Sequence, residues 1–176
     1  MRVLQALVAT MLLMPLSAWG YGYEGWRFGM TPEQVKMQEI PGGYYSFRNG
    51  DVGTESFPFR GQPALTSFYF QNDRLNRVMV IIYSGQDLEA VEEALEEAAA
   101  QIEADGGGLE LPETEVEQAA SLEQVAAAWA ARQPTLMEGQ RFQFGALPMP
   151  TDRKIWASVS LLQGGLYMVA LNYAEP

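Results

Sequence analysis

Any chemistry in this chain is done without histidine or cysteine, because neither occurs among its 176 residues. The general base that works near neutral pH is missing, as are thiolate nucleophiles and imidazole or thiolate metal ligands. No G-x-S-x-G elbow, Walker loop or G-x-G-x-x-G fingerprint is present. Gly106-Gly107-Gly108 follows a predicted helix instead of opening one, which is the wrong end for cradling phosphate. A serine–lysine pair is the remaining nucleophile. The lysines are Lys36 and Lys154, and Lys154 shares a face of a predicted strand with Ser158 and Ser160. Even spacing on a surface strand accounts for that pattern. Carboxylates are plentiful, but no spacing selects a pair of the kind glycosidases use. The sequence therefore assigns no catalytic residue, no metal ligand and no cofactor.

What the residues offer instead is a surface. Twelve of the 20 Phe, Tyr and Trp residues lie between positions 21 and 70, with arginines among them. Tyr44, Tyr45, Phe47, Arg48, Phe57, Phe59 and Arg60 form the candidate binding face. Aromatic rings mixed with Arg are the chemistry of interface hot spots. The competing account is that the rings fill the core. Tyr44 and Tyr45 are neighbours on a predicted strand and must point to opposite faces.

The elements that position these residues are legible in part. Tyr21 to Phe28 reads as an entry strand. Thr31-Pro32-Glu33-Gln34 has the form of a capping box with proline at the first helical position, and Pro41-Gly42-Gly43 keeps that helix short. Tyr44 to Arg48 reads as a strand. Residues 51–63 hold Gly53, Pro58, Gly61 and Pro63, and are expected to form an irregular loop or an edge strand. Ala64 to Gln71 and Leu75 to Tyr83 flank Asn72-Asp73-Arg74 as a hairpin. The second of these strands is apolar on both faces, so it is expected to be central and at least partly covered on both.

Asp87 to Asp105 carries Leu88, Val91, Leu95, Ala98 and Ile102 as a helical stripe, with its glutamates mainly off the stripe. Residues 109–120 read as a linker or surface loop. Ser121-Leu122-Glu123-Gln124 opens a further helix to about Arg132, with Leu122, Val125 and Trp129 inward. Arg141 to Gly145 has the alternation of a strand. Lys154 to Leu162 and Leu166 to Tyr173 form a second hairpin around Gln163-Gly164-Gly165. Ile155, Ala157, Val159 and Leu161 face its core side. The expected class is α+β, two-layered, with helices packed on an antiparallel sheet. Both halves run helix first and then a strand meander, which hints at a duplicated unit.

Met1-Arg2, the apolar run Val3 to Leu16 and the small residues of Ala18-Trp19-Gly20 have the layout of a signal peptide cut before Tyr21. The run of 14 residues is shorter than the roughly 20 that span a bilayer. No cysteine follows to carry a lipid. The expectation is a leader over residues 1–20 and one domain over 21–176, soluble and periplasmic, with no membrane insertion after cleavage. The 11 basic and 22 acidic residues leave a net charge of −11, which argues against nucleic acid as a partner.

Phe28-Gly29-Met30-Thr31-Pro32-Glu33-Gln34-Val35 resembles the Gly-Met-Thr-x-x-Gln-Val helix opening of small envelope proteins of the SmpA/OmlA type, the outer-membrane assembly lipoproteins. Phe68-Tyr69-Phe70-Gln71-Asn72-Asp73-Arg74-Leu75 is similar to their pattern of aromatic strand, turn, leucine and strand. The resemblance implies helices on a small antiparallel sheet, a layout found in tandem in β-lactamase-inhibitor-like proteins. Two departures stand out. The lipid-bearing cysteine is absent, and Gln38-Glu39-Ile40-Pro41 replaces the usual Leu-Gly-x-Pro. The sequence thus points to a non-enzymatic binding or accessory protein acting on another envelope protein. An inhibitor of an exported enzyme and a carboxylate-based cell-wall glycan hydrolase are the alternatives.

Overall fold

The computed structural model describes residues 25–111 and 119–176. The leader, residues 21–24 of the expected entry strand and residues 112–118 of the expected linker lie outside the described residues. In chain order the elements are α1 (Pro32–Lys36), β1 (Tyr45–Ser46), β2 (Val52–Phe59), β3 (Gln62–Gln71), β4 (Arg74–Gly85) and α2 (Leu88–Gly106). Then come β5 (Gly108–Glu110), α3 (Leu122–Arg132), β6 (Arg141–Leu147), β7 (Lys154–Leu162) and β8 (Leu166–Ala174). The eight strands form one antiparallel sheet in the order β1-β2-β3-β4-β8-β7-β6-β5. With three α-helices among the described residues, this is an α+β protein. No described helix is long and apolar enough to cross a membrane.

Local signals set the helix starts. Thr31 Oγ1 accepts from Gln34 N while Thr31 N donates to Gln34 Oε1, and Ser121 and Gln124 repeat the arrangement. Two orphan donors are satisfied at each start. Asp87 caps α2 by accepting from Glu89 N at 3.0 Å, and Gly107, at φ +107°, ends it. Val91, Leu95, Ala98 and Ile102 are buried along the α2 stripe. Leu88 and Leu122, expected inward, are instead exposed. Each is the first residue of its helix, ahead of the turns that bury Val91 and Val125. The α2 helix runs against β4 to β8, and α3 meets α2 and β6.

The β3–β4 hairpin turns on Asn72 and Asp73, both at positive φ, as a two-residue turn matched to strand twist requires. Residues 51–63, expected to form an irregular loop or an edge strand, contain the eight-residue strand β2, whose outer side is unpaired beyond Gly53. Its prolines are tolerated for a positional reason. Pro58 faces Pro63 across the ladder; β1 reaches only Val52 and Gly53, and β4 pairs β3 no further than Leu65. Neither missing N–H is needed by a neighbouring strand. The entry segment, by contrast, forms no strand between Gly25 and Phe28; Arg27 makes only an isolated bridge.

Irregularities in the ladder decide which side chains are buried. A register shift between Thr54 and Phe57 moves β2 by one residue, so Val52 and Thr54 before it and Phe57 and Phe59 after it all point to the core. A second shift, between Tyr69 and Phe70, frees the Phe70 N–H, and the buried Asp51 carboxylate accepts it at 3.0 Å. Asn49 Nδ2 donates to the other Asp51 oxygen at 2.7 Å. Asp51→Ala is expected to cost about 1–3 kcal/mol by leaving that donor unpaired. Asp51→Asn, which keeps a carbonyl acceptor, should lose less in urea denaturation.

One buried cluster joins Val35 of α1, the α2 stripe, and Val125 and Trp129 of α3 to one face of the sheet. Val78 and Val80 of β4 and Ile155, Ala157 and Val159 of β7 belong to it. On the other face of β4, Met79 and Ile81 are only half-buried. The two-sided covering expected of β4 is thus complete on one side only.

Candidate functional site

The seven residues of the candidate face do not stay together. Phe57 and Phe59 lie in the core, Phe57 fully buried with its ring 5.1 Å from Trp26. Both leave the binding face, and the register shift in β2 is the cause. Tyr44 is half-buried, edge-on to Phe68 at 6.1 Å. Burial pushes its hydroxyl above the ordinary tyrosine range, and the Trp26 indole nearby offsets part of that rise without meeting hydrogen-bond geometry. Arg60 is exposed at the β2–β3 turn, with φ +48°. It lies seven residues along β2 from Gly53, the partner of Tyr45, or roughly 20 Å away.

Tyr45, Phe47 and Arg48 remain exposed and close together in sequence. The Tyr45 and Phe47 rings meet edge-on with centroids 5.2 Å apart. Gly53 fixes their place. A Cβ there would stand 2.5 Å from Tyr45 Cζ, so the glycine leaves room for the ring to lie across β2. Partial burial, and then the Glu55 carboxylate, raise the Tyr45 hydroxyl above its ordinary range.

Because Gly53 pairs with Ser67, this ring belongs to the sheet face opposite the core. The same rung continues from Ser67 to Met79, Asn172, Trp156 and Gly145. Ala170 on this face is buried yet outside the core cluster. The Arg77 guanidinium stacks 4.1 Å above the Tyr69 ring, and the Tyr69 hydroxyl donates to Met79 Sδ at 3.7 Å. Leu65 is exposed here, while Trp156 and Met168 are half-buried. The sequence missed this face because it draws single residues from five strands far apart in the chain. Alternation within each strand was the available signal.

The even spacing of Lys154, Ser158 and Ser160 on β7 brings no serine–lysine pair together there. Lys154 is four residues from Ser158, roughly 13 Å along the strand. Ser158 is buried beside Asn172, whose Nδ2 lies 3.5 Å from its hydroxyl. Lys36, however, donates to Ser46 Oγ at 2.8 Å. Both residues are exposed, in contrast to the desolvated lysine of a nucleophilic pair. Ten residues separate them, through the turn that follows α1, and no sequence pattern marks the contact.

A polar cluster sits at the end of α2. Tyr173 Oη and Gln101 Nε2 each donate to Asp105 Oδ2 at 2.9 Å, and Arg153 lies 3.9 Å from Asp105 Oδ1. It ties the helix terminus to β8 and to the turn before β7. A groove of about 300 Å³ runs between α2 and α3 over Leu122, Val125 and Trp129. Its two carboxylates, Glu92 and Glu96, sit one turn apart on a single helix, unlike the facing pair of a glycosidase.

No protein-family model matches the chain, and neither the curated proteins nor the solved structures give a match.

Proposed function

We propose that the chain is an exported, non-enzymatic binding or accessory protein of the cell envelope, acting on another protein through a surface anchored at Tyr45 and Phe47. The exposed edge-on pair beside Arg48 carries this reading. Rings held in fixed geometry lose little entropy on binding, and aromatic residues with Arg dominate interface energetics. The leader pattern of residues 1–20 supports export to the periplasm.

The architecture favours a two-layer, duplicated unit of the kind the resemblance to SmpA/OmlA-like and β-lactamase-inhibitor-like proteins implies. The strand order reads the same from either edge, with β4 and β8 meeting at the centre. Thr31-Pro32-Glu33-Gln34-Val35 and Ser121-Leu122-Glu123-Gln124-Val125 open helices with the same capping box and bury the same valine. This pairing also supports the second reading, inhibition of an exported enzyme.

Crosslinked capture from envelope extract tests the proposal. Y45A/F47A should keep the wild-type melting temperature and lose the partner. Retention of the partner would remove this surface, and a wild-type protein that captures nothing would remove the reading. Intact mass of the exported form should correspond to a chain beginning at Tyr21.

A further inference from the structure

The central outward positions of the sheet carry a charge pattern opposite to that of the chain. On β3, β4, β6, β7 and β8 the outward residues include Arg77, Arg141 and Lys154 and no carboxylate, although the whole chain has a net charge of −11. Glu55 beside Tyr45 and Glu110 on β5 stand at the two margins, and Glu175 follows Ala174 just past the end of β8. The glutamates of α2 lie beyond the core on the other side, more than about 10 Å away and so beyond a Debye length at physiological salt.

The cations are spaced around an apolar centre. Arg77 and Lys154 both register against Ala174, so their strands lie two ladder spacings apart, roughly 10 Å. Arg141 pairs with Ser160, six residues along β7 from Lys154, or roughly 20 Å. Met79, Ile81, Trp156 and Met168 occupy the space between, half-buried on a floor of Ser67, Ser158, Ala170 and Asn172. The sheet margins are poorer docking edges. Beyond Gly53 the free side of β2 carries Pro58, and Ala120 bridges to Leu109 of β5.

We propose that this face, uncovered among the described residues, docks an acidic protein partner whose carboxylates flank apolar side chains. The proposal rests on the binding-module reading above and names the partner's chemistry. The carboxylates pair with Arg77, Lys154 and Arg141, while the apolar side chains cover Met79, Ile81 and Trp156. A nucleic acid or anionic membrane fits less well. Binding to phosphate arrays grows with the number of charges neutralised, and three cations around an apolar centre supply few. A second copy stacked face to face would bring these cations no carboxylate from the outward positions of the same strands.

Fluorescence titration of the purified protein is the test, because Trp156 is half-exposed while Trp26 and Trp129 are buried. The probes are a random poly(Glu,Tyr) copolymer, poly(Glu), poly(Lys,Tyr), a single-stranded DNA oligonucleotide and phosphatidylglycerol vesicles. Poly(Glu,Tyr) should bind at least tenfold more tightly than any other probe, and more weakly as salt rises. K154E/R141E should keep the wild-type melting temperature and bind it at least tenfold more weakly. W156F should bind normally with a reduced signal. Equal affinity for DNA or vesicles, equal affinity in K154E/R141E, or no binding of poly(Glu,Tyr) would overturn the proposal. So would a concentration-dependent dimer in sedimentation that K154E/R141E abolishes. An envelope partner captured by K154E/R141E but not by Y45A/F47A would overturn this inference and leave the binding-module reading standing.

Discussion

Replacing Phe57 by alanine is expected to destabilise the protein by about 3–5 kcal/mol, whereas Tyr45→Ala should change stability by less than about 1 kcal/mol. The contrast is large because the rings occupy opposite environments. Phe57 is fully buried, and its ring packs on Trp26, which in turn packs on Phe68 at 5.4 Å. Truncation removes those apolar contacts and leaves a cavity that the surrounding strands close only in part. Tyr45 keeps over a third of its surface in water and covers Gly53 from outside. Its removal exposes backbone but opens no void. Urea denaturation of the two variants measures the difference. Equal losses would place Tyr45 in the core and withdraw it from any surface function.

Trp129→Ala should cost a similar amount, about 3–5 kcal/mol, by a different route. Trp129 is the deepest anchor of α3, tilted against Phe142 of β6 at 5.8 Å and edge-on to Tyr167 of β8 at 5.9 Å. Only Val125 joins it as a buried side chain of that helix. A helix of 11 residues has little stability of its own and depends on such packing. The loss should therefore concentrate in α3. Hydrogen exchange of amides 125–132 should accelerate more than that of β4 or β8, with a lower urea midpoint. Uniform acceleration across the sheet would mean that α3 is not held mainly through this residue.

Val35 and Val125 occupy corresponding places in the two capping-box helices, both fully buried. Yet α1 has five residues and α3 has 11. The shorter helix stops before Pro41 and gives way to Tyr44, Tyr45 and Phe47.

Short-range signals made much of this fold legible from the residues alone. Thr31, Asp87 and Ser121 each cap the helix that follows, because a side-chain oxygen reaches an amide two or three residues on whatever the rest of the chain does. Asn72-Asp73 turns a hairpin because both residues tolerate positive φ. The alternation of Ile155, Ala157 and Val159 identifies the buried side of β7, and the absence of histidine and cysteine narrows the chemistry. Only the tertiary structure decided what depends on partners distant in the chain. A ladder irregularity turned Phe57 and Phe59 inward, and truncated neighbouring strands made Pro58 and Pro63 acceptable within β2 and β3. The junction of β4 with β8 brought Arg77 and Lys154 to either side of Ala174, on a face no single stretch of sequence contains. Local preferences act over a few bonds and survive in isolation, but register and strand order follow from which surfaces the whole chain can bury at once.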